Sequence, residues 1–171
     1  MDVRRAVPDD AEAIAAVHVR TWQVAYVDYF SKEYLDGQSR FLTDSAIKHR
    51  REEIAGDEWT TFVAEGDGSI LGFAAVSKNH DGLGDEVGEL GAIYVDPDQW
   101  NQGVGGALLE TAEASLAVSG FKRAILWTLK ANERTRRFYE NHDWYWDGAE
   151  KPHRTGTELV RYAKELSLVY H

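Results

Sequence analysis

The sequence predicts an α/β protein, a mixed sheet with helices on its faces, and three observations carry that expectation. Its 171 residues suit one domain with a sizeable core, at roughly 150 residues per domain. The first half holds a hairpin pattern, with apolar runs at 60–64 and 70–76 on either side of Gly66-Asp67-Gly68. The second half alternates strand-like runs with helix-period segments, the order that calls for crossover connections.

Element by element, residues 3–7 read as a short first strand. In Pro8-Asp9-Asp10-Ala11-Glu12 the spacing places Asp9 as an N-cap with Glu12 three residues on, a capping box. Ile14, Val17, His18, Thr21, Trp22 and Ala25 recur at helical spacing, so a helix is expected to run towards Tyr26. A second, more polar helix is expected over 45–54, ending at Gly56. After the hairpin, 79–86 is a loop with two glycines and three acids, and 87–95 is a strand stopped by Asp96-Pro97. Gln102-Gly103-Val104-Gly105-Gly106 then opens a helix reaching Ser119, with Leu109, Ala112 and Leu116 on one face and Gly120 ending it. Residues 124–129 read as a strand, 132–141 as a helix, and Trp144 onward as a final strand pair turning about 151–156.

Composition narrows the function classes. With no cysteine, disulfides, thiolate metal sites and a cysteine nucleophile are excluded. Nineteen Lys and Arg against 29 Asp and Glu give a net charge of −10, which argues against nucleic acid as a partner, since that needs a basic face. No apolar run approaches the roughly 18 residues of a membrane span. Charges stand at the start where a signal peptide needs an apolar stretch, so a cytoplasmic protein without a membrane partner is expected. The six histidines form no H-x-x-x-H pair, and no metal is expected.

The glycine turn is the informative unit. A strand, then Gly103-Val104-Gly105-Gly106, then a helix brings backbone N–H groups and the positive end of a helix dipole to one place, which suits a phosphate. It is neither a P-loop, having no Gly-Lys-Ser/Thr, nor a dinucleotide fingerprint, having Leu at 108. Taken alone, a tight turn and a ligand site are equal readings of it.

The context is more specific. Glu89-Leu90-Gly91-Ala92-Ile93-Tyr94-Val95-Asp96-Pro97-Asp98-Gln99-Trp100-Asn101-Gln102-Gly103-Val104-Gly105-Gly106-Ala107-Leu108-Leu109 resembles the main motif of the GNAT superfamily of acetyl-CoA-dependent N-acetyltransferases. Trp127-Thr128-Leu129-Lys130-Ala131-Asn132-Glu133-Arg134-Thr135-Arg136-Arg137-Phe138-Tyr139-Glu140 resembles its second motif. The opening, through His18-Val19-Arg20-Thr21-Trp22 to Tyr34-Leu35, is similar to the start of many bacterial members.

That resemblance implies the GNAT fold: a mixed, mostly antiparallel sheet of about six or seven strands, splayed at the fourth and fifth, with about four helices. It implies acetyl-CoA as cosubstrate, its pantetheine bonded by the backbone of Ile93, Tyr94 and Val95 like an added strand. Its pyrophosphate would lie on Gln102, Gly103, Val104, Gly105 and Gly106. Asn132 matches a residue bonding the pantetheine side. Tyr139 matches the tyrosine that protonates the departing thiolate, a role that suits a phenol of pKa near 10. Glu89 matches a glutamate that takes the proton from the amine; an exposed strand-end charge is the equal alternative. Trp22 and Tyr26 lie where the family builds its acceptor pocket, although aromatics at helical spacing are more often core. Two departures touch turn geometry, Asn101 and Asp143 where the family has glycine.

The expected activity is acetyl transfer to an amine acceptor, a small molecule or peptide, by direct attack in a ternary complex. The alternative is a non-catalytic acyl-CoA-binding sensor. A homodimer enters by family analogy only. Between Lys78 and Lys122 stand eight acids and no Lys or Arg, so cations for CoA are expected from Lys122, Arg123, Lys130, Arg134, Arg136 or Arg137. The acidic stretch would then attract a cationic acceptor.

Overall fold

The computed structural model describes residues 1–167. Its strands are β1 (Asp2–Arg5), β2 (Thr60–Gly66), β3 (Ser69–Lys78), β4 (Val87–Val95), β5 (Arg123–Leu129), β6 (Tyr145–Pro152) and β7 (Glu158–Glu165). Its helices are α1 (Ala11–Ala25), α2 (Lys32–Asp36), α3 (Asp44–Ala55), α4 (Val104–Val118) and α5 (Glu133–Glu140). The seven strands form one sheet in the order β1-β2-β3-β4-β5-β7-β6. Pairing is antiparallel at β1–β2, β2–β3, β5–β7 and β6–β7, and parallel at β4–β5. This is the mixed, mostly antiparallel sheet expected, with one helix more than expected.

The chain divides into two compact units, one of residues 1–76 and 92–112, the other of 77–91 and 113 onward. In the first, Ile14 and Val17 place one stripe of α1 in a core with Ala6, Ala11, Ile54, Val63 and Phe73, as the helical spacing requires. The start of α1 differs from expectation. A single 3-10 turn, Pro8–Asp10, precedes it; Asp10, not Asp9, stands at the N-cap position of α1, but its side chain makes no cap bond there and instead reaches back to the start of the turn. The Asp10 carboxylate accepts from Val7 N at 2.8 Å and from Arg4 at 2.8 and 3.0 Å. Arg4 holds that carboxyl below its ordinary pKa. Arg4, six residues earlier on β1, engages the second aspartate.

Helix α2 was not expected; at five residues it is too short for a periodicity to show. Ser31 Oγ caps it, accepting from Tyr34 N at 3.1 Å, and a 3-10 turn over Gly37–Leu42 follows. Thr43 Oγ1 caps α3 by accepting from Ala46 N at 3.2 Å, so the helix begins just ahead of the expected residue. The hairpin joining β2 to β3 turns on Asp67 and Gly68, both with positive φ, as its two-residue type demands. At Gly72 a Cβ would meet Tyr94 O at 2.7 Å, so β3 and the end of β4 approach as closely as glycine permits.

In the second unit, Val87, Ile125 and Ala163 form a core across three strands. The β4–β5 ladder pairs Val87, Gly88 and Glu89 with Arg123, Ala124 and Ile125. Asn132 and Asn141 flank α5 as its caps. Asp143 takes φ 68°, the left-handed conformation that aspartate tolerates better than most residues. No helix among the described residues is long and apolar enough to cross a membrane.

Candidate functional site

In the first unit the decisive piece is the passage from β4 into α4. Val95 O accepts from Trp100 Nε1 at 2.9 Å and from Thr21 Oγ1 at 3.3 Å, which pins the turn to the strand and to α1. Asp96 Oδ1 accepts from Asp98 N at 2.9 Å. Arg20 reaches both carboxylates, at 3.1 and 2.6 Å. Two left-handed residues then re-aim the chain, Asn101 at φ 64° and Gly103 at φ 83°. The helical ladder opens with Ala107 N bonding Gly103 O at 3.1 Å. The N–H groups of Val104, Gly105 and Gly106 precede it and have no helical carbonyl to bond. Gln102 and Gly103 are exposed and the two following glycines half-buried, so their backbone is open to an anion. These residues fit the pyrophosphate of a CoA ester.

Trp22 and Tyr26 belong to a mutually packed aromatic group. Trp22 stacks on Phe30 at 5.3 Å between centroids and meets Tyr26 edge-on at 4.5 Å; Phe30 stacks on Tyr34 at 5.0 Å. Beside it, His18 stacks on Tyr94 at 5.4 Å and contacts Phe41 at 5.1 Å. His18 Nδ1 lies 3.2 Å from Arg50 Nη2. Burial, aided by the Arg50 charge, lowers the His18 pKa to about 4, so its ring is neutral at pH 7 and Nδ1 accepts from the guanidinium. Arg50 went unnoticed in the sequence, because it and His18 lie 32 residues apart on different helices.

The second unit holds the proposed proton-transfer residues. Glu89 is buried, 8% exposed, which removes the alternative of an exposed strand-end charge. Its Oε2 lies 2.8 Å from His80 Nδ1. His80 sits on the 79–86 loop, which Asn79 shapes by donating to Gly84 O and Val87 O, each at 2.8 Å, and accepting from Asp81 N and Leu83 N. His80 had no sequence signal either, being one of six scattered histidines. Asn132 Oδ1 accepts from Thr135 N at 3.2 Å as the cap of α5, which leaves its amide Nδ2 as the group to donate to a ligand. Tyr139 is buried against Phe138, Trp144 and Tyr162.

The candidate cations are mostly engaged within this unit. Lys122 pairs with Glu86 at 3.2 Å, Arg123 with Asp147 and Glu165 at 3.6 Å, and Lys130 with Glu150 at 2.6 Å. Arg136 donates to Tyr162 Oη at 3.0 Å and Lys130 O at 2.9 Å. The acidic surplus of the chain is therefore partly met by the residues expected to face CoA.

The chain matches the family model described as Acetyltransferase (GNAT) family over residues 16–144. It is 30% identical over 145 residues to an uncharacterized N-acetyltransferase of Archaeoglobus fulgidus, covering 84% of this chain and 92% of that one. It is 32% identical over 117 residues to an aminoglycoside N(6')-acetyltransferase type 1 of Stenotrophomonas maltophilia, covering 66% of this chain and 65% of that one. In fold it is similar to the PaiA N-acetyltransferase of Thermoplasma acidophilum, solved in complex with coenzyme A. The TM-score is 0.74 at 17% identity, over 94% of this chain and 96% of that one.

Proposed function

This chain belongs to the GNAT family of acetyltransferases and is an acyltransferase, and from that premise we propose that it moves acetyl from acetyl-CoA to a primary amine of a small molecule or peptide. Residues 1–171 act as one catalytic domain, and the amine attacks directly in a ternary complex. The observation that carries this reading is the β4–turn–α4 passage, with its three N–H groups opening α4 behind Gly103. The name of the Stenotrophomonas relative supports a small amine as acceptor.

Ile93, Tyr94 and Val95 would bond the pantetheine through their backbone, and residues 102–106 the pyrophosphate. Asn132 Nδ2 would donate to the pantetheine side. Glu89 would take the proton that the amine must lose before it attacks, with His80 orienting the carboxylate and linking it to solvent. As the C–N bond forms and the C–S bond breaks, Tyr139 would give its proton to the departing sulfur.

The test offers the purified protein acetyl-CoA and a panel of amines and measures liberated thiol. Release with at least one amine is expected. Acetyl-CoA binding with no thiol release from any amine favours the sensor reading instead, and no thermal shift with CoA overturns both. Tyr139→Phe is expected to lower kcat at saturating acetyl-CoA by ~10²–10⁴-fold; unchanged kcat removes Tyr139 from the reaction. Glu89→Gln should change the limb of the pH–rate profile governed by proton loss from the amine, and an identical profile sinks that assignment.

A further inference from the structure

Arg50 stands out in the first unit because nothing there neutralises it. Its guanidinium is half-buried, and its hydrogen bond goes to the neutral His18 ring. It lies over the Phe73 ring at 5.8 Å. Glu53 acts on it only from a distance and pairs instead with His49 at 3.8 Å. Among the described residues no carboxylate reaches Arg50 within ion-pair distance.

Beside His18, which accepts from Arg50, Trp22 and Tyr94 add two further donors. The Tyr94 hydroxyl oxygen is approached by both Trp22 Nε1 and the Tyr26 hydroxyl, yet the buried Trp22 N–H closes no full hydrogen bond. Tyr94 keeps its phenolic proton, since burial raises its pKa. A buried donor without a partner is unfavourable by an amount comparable to a hydrogen bond, and a buried cation without one by more. A planar guanidinium without a carboxylate, with buried N–H and O–H donors in the same aromatic cluster, is complementary to a carboxylate held two-pronged. The aromatic walls of His18, Phe41 and Phe73 would strengthen such a bond by keeping water away.

We propose that Arg50, with the Tyr94 hydroxyl and the Trp22 N–H, binds a carboxylate carried by the amine acceptor, so that the acceptor is an amino acid or a similar amino-carboxylate. This rests on the acetyl-transfer reading and narrows its substrate. It also gives Trp22 a polar role in place of a purely aromatic wall. A zwitterionic acceptor accords with the acidic surroundings expected to draw its amine and the single guanidinium that would take its other end.

The experiment uses matched trios: L-phenylalanine, phenylalaninamide and 2-phenylethylamine, and L-leucine, leucinamide and 3-methylbutylamine. Thiol release and calorimetric binding in the presence of CoA are measured for the wild type, Arg50→Gln and Arg50→Lys. The wild type should prefer the carboxylate member in at least one trio. Arg50→Gln should lose that preference by about tenfold or more, while the thermal shift given by CoA alone stays the same. Arg50→Lys, which keeps the charge but not the fork, should fall between, and serves if the glutamine variant does not fold. A carboxylate preference equal in wild type and variants, or no carboxylate binding by the wild type, overturns the proposal. Arg50-dependent carboxylate binding without thiol release would leave this site standing and sink the transferase reading.

Discussion

Arg50 in the first unit and Arg161 in the second are both drawn largely out of water, and the protein treats them in opposite ways. Arg161 meets Asp147 through Nε at 2.6 Å and Asp81 through Nη1 at 3.3 Å. Asp81 in turn accepts from Trp127 Nε1 at 2.9 Å. Burial pulls the Arg161 pKa down, but the two carboxylates outweigh it and the result lies above the ordinary value. For Arg50 burial prevails and the pKa falls, Glu53 and Tyr94 offsetting only part of it. The first arrangement is a closed ion network that ties β5, β6, β7 and the 79–86 loop together. The second is a charge kept at a cost in stability, the mark of a residue held for recognition. These two arginines are thus told apart by their partners.

The comparison can be broken by stability measurements. Arg161→Met should destabilise by up to about 3 kcal/mol, because the Asp147 carboxylate, 6% exposed, is left with only the longer contact to Arg123 at 3.6 Å. Arg50→Met should alter stability by less than about 1 kcal/mol, or raise it, because it removes a desolvated charge and leaves behind only a neutral ring nitrogen of His18, not a stranded carboxylate. Urea denaturation of both variants decides the matter, and equal losses would erase the distinction.

The neutral histidine beside Arg50 gives the next largest effect. His18 falls from an ordinary value of 6.5 to about 4. Between those values the unfolded chain binds a proton that the folded one refuses. Stability from this source is therefore complete above pH 6.5 and is lost as pH falls towards about 4, a change of about 3 kcal/mol. His18→Gln should flatten that stretch of the stability–pH curve; an unaltered curve would mean that His18 is not held neutral. Smallest of all, Arg20→Ala removes an exposed arginine, with 48% of its side chain accessible, from Asp96 and Asp98. Its denaturation midpoint should match the wild type at high salt, where such pairs are screened. A clear shift there would place Arg20 with Arg161 among the structural cations.

Much of this molecule is written locally. The helical spacing of Ile14 and Val17, the Asp67–Gly68 turn, the Asp96-Pro97 stop and the glycines opening α4 each act within a few residues, so most of the element order and the β4–turn–α4 passage are legible in the sequence. Even the left-handed Asn101 and Asp143 stand where the family pattern has glycine. The exceptions are instructive. The expected Asp9 cap is replaced by a 3-10 turn whose Asp10 carboxylate is held by Arg4 and Val7 N, and α2 is shorter than any window in which a period can register.

What the chain's own order of residues settled, then, is the fold class, the family motifs and the backbone cradle for an anion, since all depend on neighbours in sequence. Only tertiary structure decided that Glu89 is buried against His80, that Asp81 meets Arg161 across 80 positions, and that Arg50 is shut in with a neutral His18 and no carboxylate. The physical reason is that desolvation and ion pairing depend on distance in space. They are fixed only when segments far apart in the chain pack together, and the residue type alone carries no trace of which partner it will find.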